Sequence, residues 1–505
     1  MKRFFGNPVI RIGGFLLFLW GILFFVTRIV EDKTSISRLQ PLYDRAEQVD
    51  VLFTGDSQII NGVYPMELWQ DYGIAAYNAS SYNQTVPLAY WSLKNLLQFV
   101  HPKVLVVSAA DFEGDNRLPG NSETTHVAFD GLPTTPMKLR ALWDLMGNSK
   151  QEADGLEMTY GELLPEYIVT LSKYHSRWNK LTENDFSVEM NQQLGAEMFI
   201  RIQDPGGHDL IDENEIADNR PVSLSYIRRI IDLCREEGIE LVLTFIAHPS
   251  SSATQRYANA VRNLAKEEGV PFLDFIRMDS VVDYLVDCAD TNVHLNSSGA
   301  AKTTEFFGRY LTEHFELPDR RGDEAYAAWQ ADYDAFADLK IKRMGEQTDM
   351  ELVLSMLHDR HFSVVMAMRP GFNYRGERTM ALLQNVGRQN VYEADLGTLR
   401  SDELFPLEEM DYAAEEGEGY LVVVDRWYDE VTEQIGGGAL ECETSFGTLS
   451  CWLGEDECHM SVTRDGQTKT FFDDAESAAG SLHLLVIDER TGDPVLALHG
   501  EPSET

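Results

Sequence analysis

The sequence predicts a doubly wound α/β fold on a parallel sheet, preceded by a membrane-spanning helix and followed by a second, mainly β domain. Three observations lead there. Short, almost wholly apolar runs alternate with amphipathic stretches, the pattern of strands buried on both faces by crossover helices. An uncharged apolar run with basic residues before it occupies the first thirty positions. Beyond about residue 347 the helical pattern gives way to closely spaced β-like runs.

In chain order, Lys2, Arg3 and Arg11 precede IGGFLLFLWGILFFVT (12–27), and Ile29 and Val30 extend it past Arg28. With Arg28 snorkelling, these 19 residues approach the roughly 20 needed to span a bilayer. Basic residues before the span and acidic ones after it place the N-terminus in the cytoplasm and the rest outside the cell membrane. RIVEDKTSISRLQ offers no small-residue cleavage site, so a retained anchor over 1–31 is expected rather than a signal peptide.

An α/β domain is expected over 45–316. Its strands are read at VDVLFTG (49–55), IAAYNAS (74–80), KVLVVSAAD (103–111), IELVLTFIAHP (239–249) and VPFLDFI (270–276). Helices are read between them, two of them stopping at Gly238 and Gly269. Residues 112–220 break the alternation as an insertion with a helical portion, GELLPEYIVTLSKYHSRWNKLTENDF. An insertion after a strand's C-terminal end falls on the rim where open α/β sheets bind ligands. A last helix covers 297–315, and 317–346 reads as a charged, solvated helical connector. The domain over 347–500 is mainly β and closes with an ERTGD hairpin.

A formal net charge of −40 over 505 residues, with no basic cluster beyond the anchor, excludes nucleic acid as a partner. Cys442, Cys451 and Cys458 cluster, so an exported chain could pair two of them, while Cys234 and Cys288 read as core. No CxxC or His-rich cluster occurs, so neither a metal nor a cofactor is expected.

The candidate chemistry starts at VDVLFTGDSQ. Gly55 permits a tight turn from strand to helix, leaving Ser57 either as a helix cap or as a nucleophile at the ligand-binding rim. The loop DTNVHLN, after the last strand, supplies Asp290 and His294. A serine hydroxyl needs a base to remove its proton and a carboxylate to orient that base, so Ser57, His294 and Asp290 form a candidate triad. Within the insertion, His175, Arg177 and Trp178 of KYHSRW combine a cation and an aromatic, as a sugar-binding wall would; a packed Trp with a capping Arg is the alternative. His248 closes the fourth strand at the same rim.

On TGDSQ and DTNVHLN the chain resembles the SGNH (GDSL-like) hydrolases. It is most similar to membrane-anchored members related to the alginate acetyltransferase proteins and to DltD-type envelope proteins. The resemblance covers about 45–111 and 221–315 and implies a flavodoxin-like sheet. It implies Ser57 as nucleophile and Asp290 and His294 as its partners, although three residues separate the Asp and His where the family has two. It places Asn83 at the family's oxyanion glycine and Asp111 at its oxyanion asparagine. The backbone N–H groups of Ser57 and Asn83 would then serve the oxyanion, with Asn78 or Asn116 as sources of a side-chain amide. The implied activity is transfer or removal of an O-acyl group, acetyl first, on an envelope glycan, fed by a multi-span membrane O-acyltransferase. An inactive envelope scaffold of the same fold is the alternative. The C-terminal domain is faintly similar to interleukin-like (ILEI) domains, which implies a binding role.

Overall fold

The five apolar runs form one parallel sheet. The computed structural model describes residues 8–500 except 113, 134, 146–149, 154, 189, 217–219, 279–280, 373, 388–389, 394–397, 402–412, 414–415, 427–429, 437, 455–456 and 475–481. Its strands are β1 (Val51–Thr54), β2 (Ala76–Asn78), β3 (Val104–Ser108), β4 (Glu240–Phe245) and β5 (Phe272–Asp274), with spatial order β2-β1-β3-β4-β5. β1 pairs in parallel on both sides, Val51 lying opposite Ala76 and Val104. All residues of β1 and β3 are buried, because helices cover both faces of the sheet. This is the flavodoxin-like order, and it reverses direction at β1 and β3. A crevice opens there, outside the strands' C-terminal ends, and whatever follows β1 stands in it.

The covering helices include Pro65–Tyr72, Val86–Leu96, Pro221–Glu237, Ser252–Glu268 and Ser297–His314. Gly238 and Gly269 end two of them in the left-handed region, at φ +70° and +67°. At the N-terminus a single helix, Pro8–Val30, stands largely exposed. Its stretch Arg11–Val30, 20 residues with mean hydropathy 2.0, is long and apolar enough to cross a membrane. Two cations close its last turn. The Lys33 ammonium donates to the carbonyls of Arg28, Ile29 and Glu31, and the Arg177 guanidinium donates to those of Val30 and Glu31.

The insertion is less regular than its sequence suggests. The expected helical portion at 161–186 breaks after Ile168, and only short turns follow over 171–179 and 183–185. From about 190 the chain runs back along the sheet rim. The Asn78 N–H donates to the Leu194 carbonyl, Glu197 N–H to Ile60, and Ser297 N–H to Phe199.

The connector departs from expectation. Helix Ala327–Gly345 is packed, with Trp329, Tyr333, Phe336, Ala337, Lys340 and Met344 buried. Trp329 stacks on Trp69 at 6.0 Å between ring centroids, and the Lys340 ammonium lies 2.9 Å from Glu67 and 2.5 Å from Asp359. The apolar spacing that buries this face is diluted by Asp, Lys and Ala, which is why the segment reads as solvated.

The mainly β domain is built on two large antiparallel sheets, beside a two-stranded pair of Asn390–Glu393 and Thr398–Ser401. One orders its strands Glu430–Ile435, Tyr420–Asp425, Phe362–Met368, Leu482–Asp488 and Pro494–Gly500. The last two form the expected hairpin. The other is a four-stranded meander from Gly438–Thr444 to Gln467–Asp474. All five cysteines are free thiols, so the pairing that the cluster of Cys442, Cys451 and Cys458 would allow is not formed. Cys451 and Cys458 sit on adjacent strands offset by two residues in register.

Candidate active site

β1 delivers the chain into the crevice at Gly55, whose φ is +158°. A Cβ at this position would lie 2.5 Å from the Ser108 Cβ, so only glycine passes this close to β3. The helix Ser57–Gly62 then starts, and its cap is Asp56, which accepts the Gln58 N–H at 3.1 Å. Ser57 is therefore the first helical residue and not the cap. Helix geometry leaves its N–H without an intrahelical acceptor.

The second half of the site is one turn. Asp290 Oδ1 accepts the N–H groups of Asn292, Val293 and His294 at 2.9, 3.0 and 3.3 Å. Its Oδ2 lies 2.5 Å from His294 Nδ1. The extra residue between Asp and His is taken up by this turn, so both side chains stay on one side of it. His294 Nε2 then reaches Ser57 Oγ at 2.8 Å. The structure thus brings Ser57, His294 and Asp290 into one chain of hydrogen bonds from three positions 237 residues apart at most. Partial burial pushes the Asp290 carboxyl up, but the His294 side chain and the N–H groups of Asn292 and His294 outweigh it and hold it below its ordinary range. It is an anion facing the imidazole, which keeps the Nδ1 proton in place and leaves Nε2 as the base.

The surroundings support this turn. The Asp287 carboxylate, two residues before Ala289, is fully buried and 2.5 Å from the Lys302 ammonium. Asn296 caps the helix Ser297–His314 and donates its N–H to the Asp287 carbonyl. Phe199, from the returning insertion, meets the His294 ring edge-on at 5.8 Å, and the Arg201 guanidinium lies 4.9 Å over Phe199. Neither residue was legible as a site residue, since the short alternation EMFIRIQ marks only an extended segment.

His248 lies behind the site. Its Nδ1 is 2.8 Å from Gln58 Nε2 and 2.9 Å from the Ile246 carbonyl. Burial pushes its imidazole down to about 4, so it is neutral and braces Gln58 without serving as a second base. Asp56 is also buried, and desolvation pushes its carboxyl up to about 7, with the nearby Asp111 adding to the rise.

The oxyanion candidates separate. Asn83 adopts φ +47°, the left-handed conformation natural to glycine and tolerated by Asn. Its loop is tied to the end of β1, because the Ser81 N–H donates to the Gly55 carbonyl. Asn78 is engaged elsewhere: its amide donates to the Ile59 and Val63 carbonyls and its oxygen accepts the Ser80 N–H. Asp111 accepts the Ser223 hydroxyl at 2.5 Å, and its carbonyl accepts from Arg220. It therefore holds the first turn of helix Pro221–Glu237, while the Asn78 side chain is committed to backbone partners. Asn116 is exposed on the loop after β3.

For KYHSRW the structure favours the alternative reading of a capping Arg. Arg177 is spent on the carbonyls of Val30 and Glu31 and on Asp185, 3.0 Å away. His175 bonds the Ser172 carbonyl, and Trp178 is exposed beside the base of the N-terminal helix. Their places at the turn that closes that helix set them apart from the triad. Among the described residues, no group of three or more His, Cys, Asp or Glu could hold a metal ion.

No family model matches the sequence, and no curated protein matches it. Solved structures do overlap with it. A GDSL-like lipase from Bacteroides thetaiotaomicron is 10% identical with a TM-score of 0.29, over 56% of this chain and 99% of that one. An acetyl xylan esterase from the rumen bacterium Butyrivibrio proteoclasticus is 9% identical with a TM-score of 0.23, over 53% of this chain and 64% of that one. At values this low the likeness adds nothing to the site, and the α/β architecture rests on its own strand order and pairing.

Proposed function

We propose that this chain is a serine-dependent esterase or O-acyltransferase of the SGNH type, held at the outer face of a cell membrane by its N-terminal helix. Its substrate is an O-acyl group, acetyl first, on an envelope polysaccharide or other glycan. The observation that carries the reading is the continuous relay from Ser57 Oγ through His294 to an ionised Asp290.

In the first half-reaction Ser57 Oγ attacks the ester carbonyl carbon while His294 Nε2 accepts the hydroxyl proton. The tetrahedral oxyanion is held by the backbone N–H groups of Ser57 and Asn83. As the ester C–O bond breaks, His294 returns the proton to the leaving alcohol and an acyl-serine remains. In the second half-reaction a sugar hydroxyl or water gives its proton to His294 and attacks the acyl-serine, and Ser57 leaves with the proton restored. Transferase and esterase differ only in this acceptor. The anchor favours transfer, with a multi-span membrane O-acyltransferase as the acyl source.

Labelling by a fluorophosphonate probe tests the reading. Labelling of the wild type and none of Ser57→Ala is the expected pair of results, and a folded wild type that does not react refutes it. A non-catalytic envelope scaffold is the second reading, favoured by one observation: Asp111 stands where the family has its oxyanion asparagine, and its carboxylate is engaged by Ser223. The same absence of labelling supports it.

A further inference from the structure

We propose that the apolar face of the insertion lies in the outer leaflet of the same bilayer, so that the protein holds the membrane at two places. The inference rests on the reading of Pro8–Val30 as a membrane span. Six large apolar side chains of the insertion, Leu139, Trp143, Ile168, Val169, Trp178 and Phe186, are each between 48% and 74% exposed. Their positions are fixed relative to the span. Trp178 follows Arg177, whose guanidinium grips the span's final carbonyls, and Phe186 follows Asp185, which binds that same guanidinium. Leu139 and Ile168 share a cavity of about 410 Å³ with Phe24, Thr27 and Arg28 of the span itself. Trp143 is one turn beyond Leu139 on the helix Pro136–Leu145.

Depth follows from helix rise. At about 1.5 Å per residue, Thr27 lies about 4.5 Å and Phe24 about 9 Å below Val30 along the helix axis. The 20 residues of Arg11–Val30 match the hydrocarbon thickness, so Val30 marks its outer boundary. The cavity runs from Phe24 past Glu31 to Gln40 and Lys138, so the side chains that line it straddle that boundary, at the depth that amphipathic surface elements reach. The exposed tryptophans then stand where indole rings concentrate, at headgroup level. Facing water, these six large apolar groups would stay solvated, whereas a lipid surface at the level of the span's end covers them.

The full chain in liposomes with brominated lipids tests this, because bromine quenches tryptophan fluorescence at the depth where it is placed. Trp20 lies within the span and reports on the anchor. With bromine near the headgroups, wild-type fluorescence is quenched; Trp178→Phe loses part of that shallow component and the double change Trp143→Phe/Trp178→Phe loses it. With bromine deep in the chains, Trp20→Phe loses the deep component. Deep quenching from Trp20 with no shallow quenching from Trp143 or Trp178 overturns the proposal and leaves the face to a protein partner. Absence of the Trp20 component refutes the anchor, and the proposal with it. The residues changed are solvent-exposed or lipid-facing and lie outside the triad, so ester hydrolysis by these variants is expected to match the wild type.

Discussion

Asp290→Asn is the most discriminating change in the triad. The Asn side chain keeps an oxygen at the Oδ1 position, so the N–H groups of Asn292, Val293 and His294 retain their acceptor and the turn persists. At the other position an NH₂ donor replaces the carboxylate oxygen, 2.5 Å from His294 Nδ1. The imidazole answers by offering its Nδ1 lone pair, which moves the ring proton to Nε2. A protonated Nε2 then points at Ser57 Oγ across 2.8 Å and cannot accept its proton. The loss has two parts: a charge-assisted hydrogen bond of about 1.5–3 kcal/mol, and the penalty for using the wrong tautomer. Together about 4–5.5 kcal/mol is expected, a fall of about 10³–10⁴ in the acylation rate at about 1.36 kcal/mol per decade. The second-order rate of fluorophosphonate labelling measures acylation directly, and thermal denaturation checks that the fold is intact. If Asp290 only oriented the ring, exchange for a neutral bond would cost about 1 kcal/mol, or about fivefold. A loss under tenfold, with Ser57→Ala inert, would refute the assignment of Asp290 as the carboxylate that sets the tautomer.

Other expectations follow from buried groups. Folding raises the Asp56 carboxyl from 3.8 to about 7, so the folded state favours the neutral acid and stability falls as pH rises through that interval. Asn caps a helix equally well without ionising. Asp56→Asn should match the wild type near pH 4 and exceed it at pH 8, by at most about 4 kcal/mol in urea denaturation. Asp287→Ala strands the buried Lys302 ammonium and should cost about 3–5 kcal/mol, with most of the loss recovered when Lys302→Met is added. Gly195 has φ +91°, and a Cβ there would lie 1.8 Å from the Asn78 carbonyl oxygen. Gly195→Ala should therefore lower thermal stability by more than about 1 kcal/mol and shift the returning segment that carries Phe199, which a rise in KM for an ester substrate would register.

The parts of this molecule that obey local rules were legible in the sequence. Each of the five strands declares itself as an apolar run because both faces of a parallel sheet are buried, and Gly238 and Gly269 mark helix ends because few other residues adopt their φ. Ser57, Asp290 and His294 stood out because the ends of parallel strands share one rim, which converts distant sequence positions into neighbours. What remained hidden depends on partners that arrive from far along the chain. Nothing in the environs of Asp111 announces that Ser223 will take its carboxylate, nor does KYHSRW show that its arginine will close a helix 147 residues away. Phe199 is hidden for the same reason, since its place against His294 is set by the path of an irregular segment and by no periodicity of its own.

The helix Ala327–Gly345 bears on how the molecule works mechanically. It reads as a tether, but it acts as a splint: Trp329 and Phe336 belong to the core of the α/β domain, while Met344 belongs to the core of the β domain. Lys340 latches Glu67 on one side and Asp359 on the other. A tethered domain would sweep a volume set by linker length, and its encounters with the catalytic rim would be a matter of local concentration. A splinted domain has a fixed bearing. Whatever its two sheets hold is kept at one height and one angle to the serine, and tension applied to it passes directly into the helix Pro65–Tyr72 instead of dissipating in slack chain.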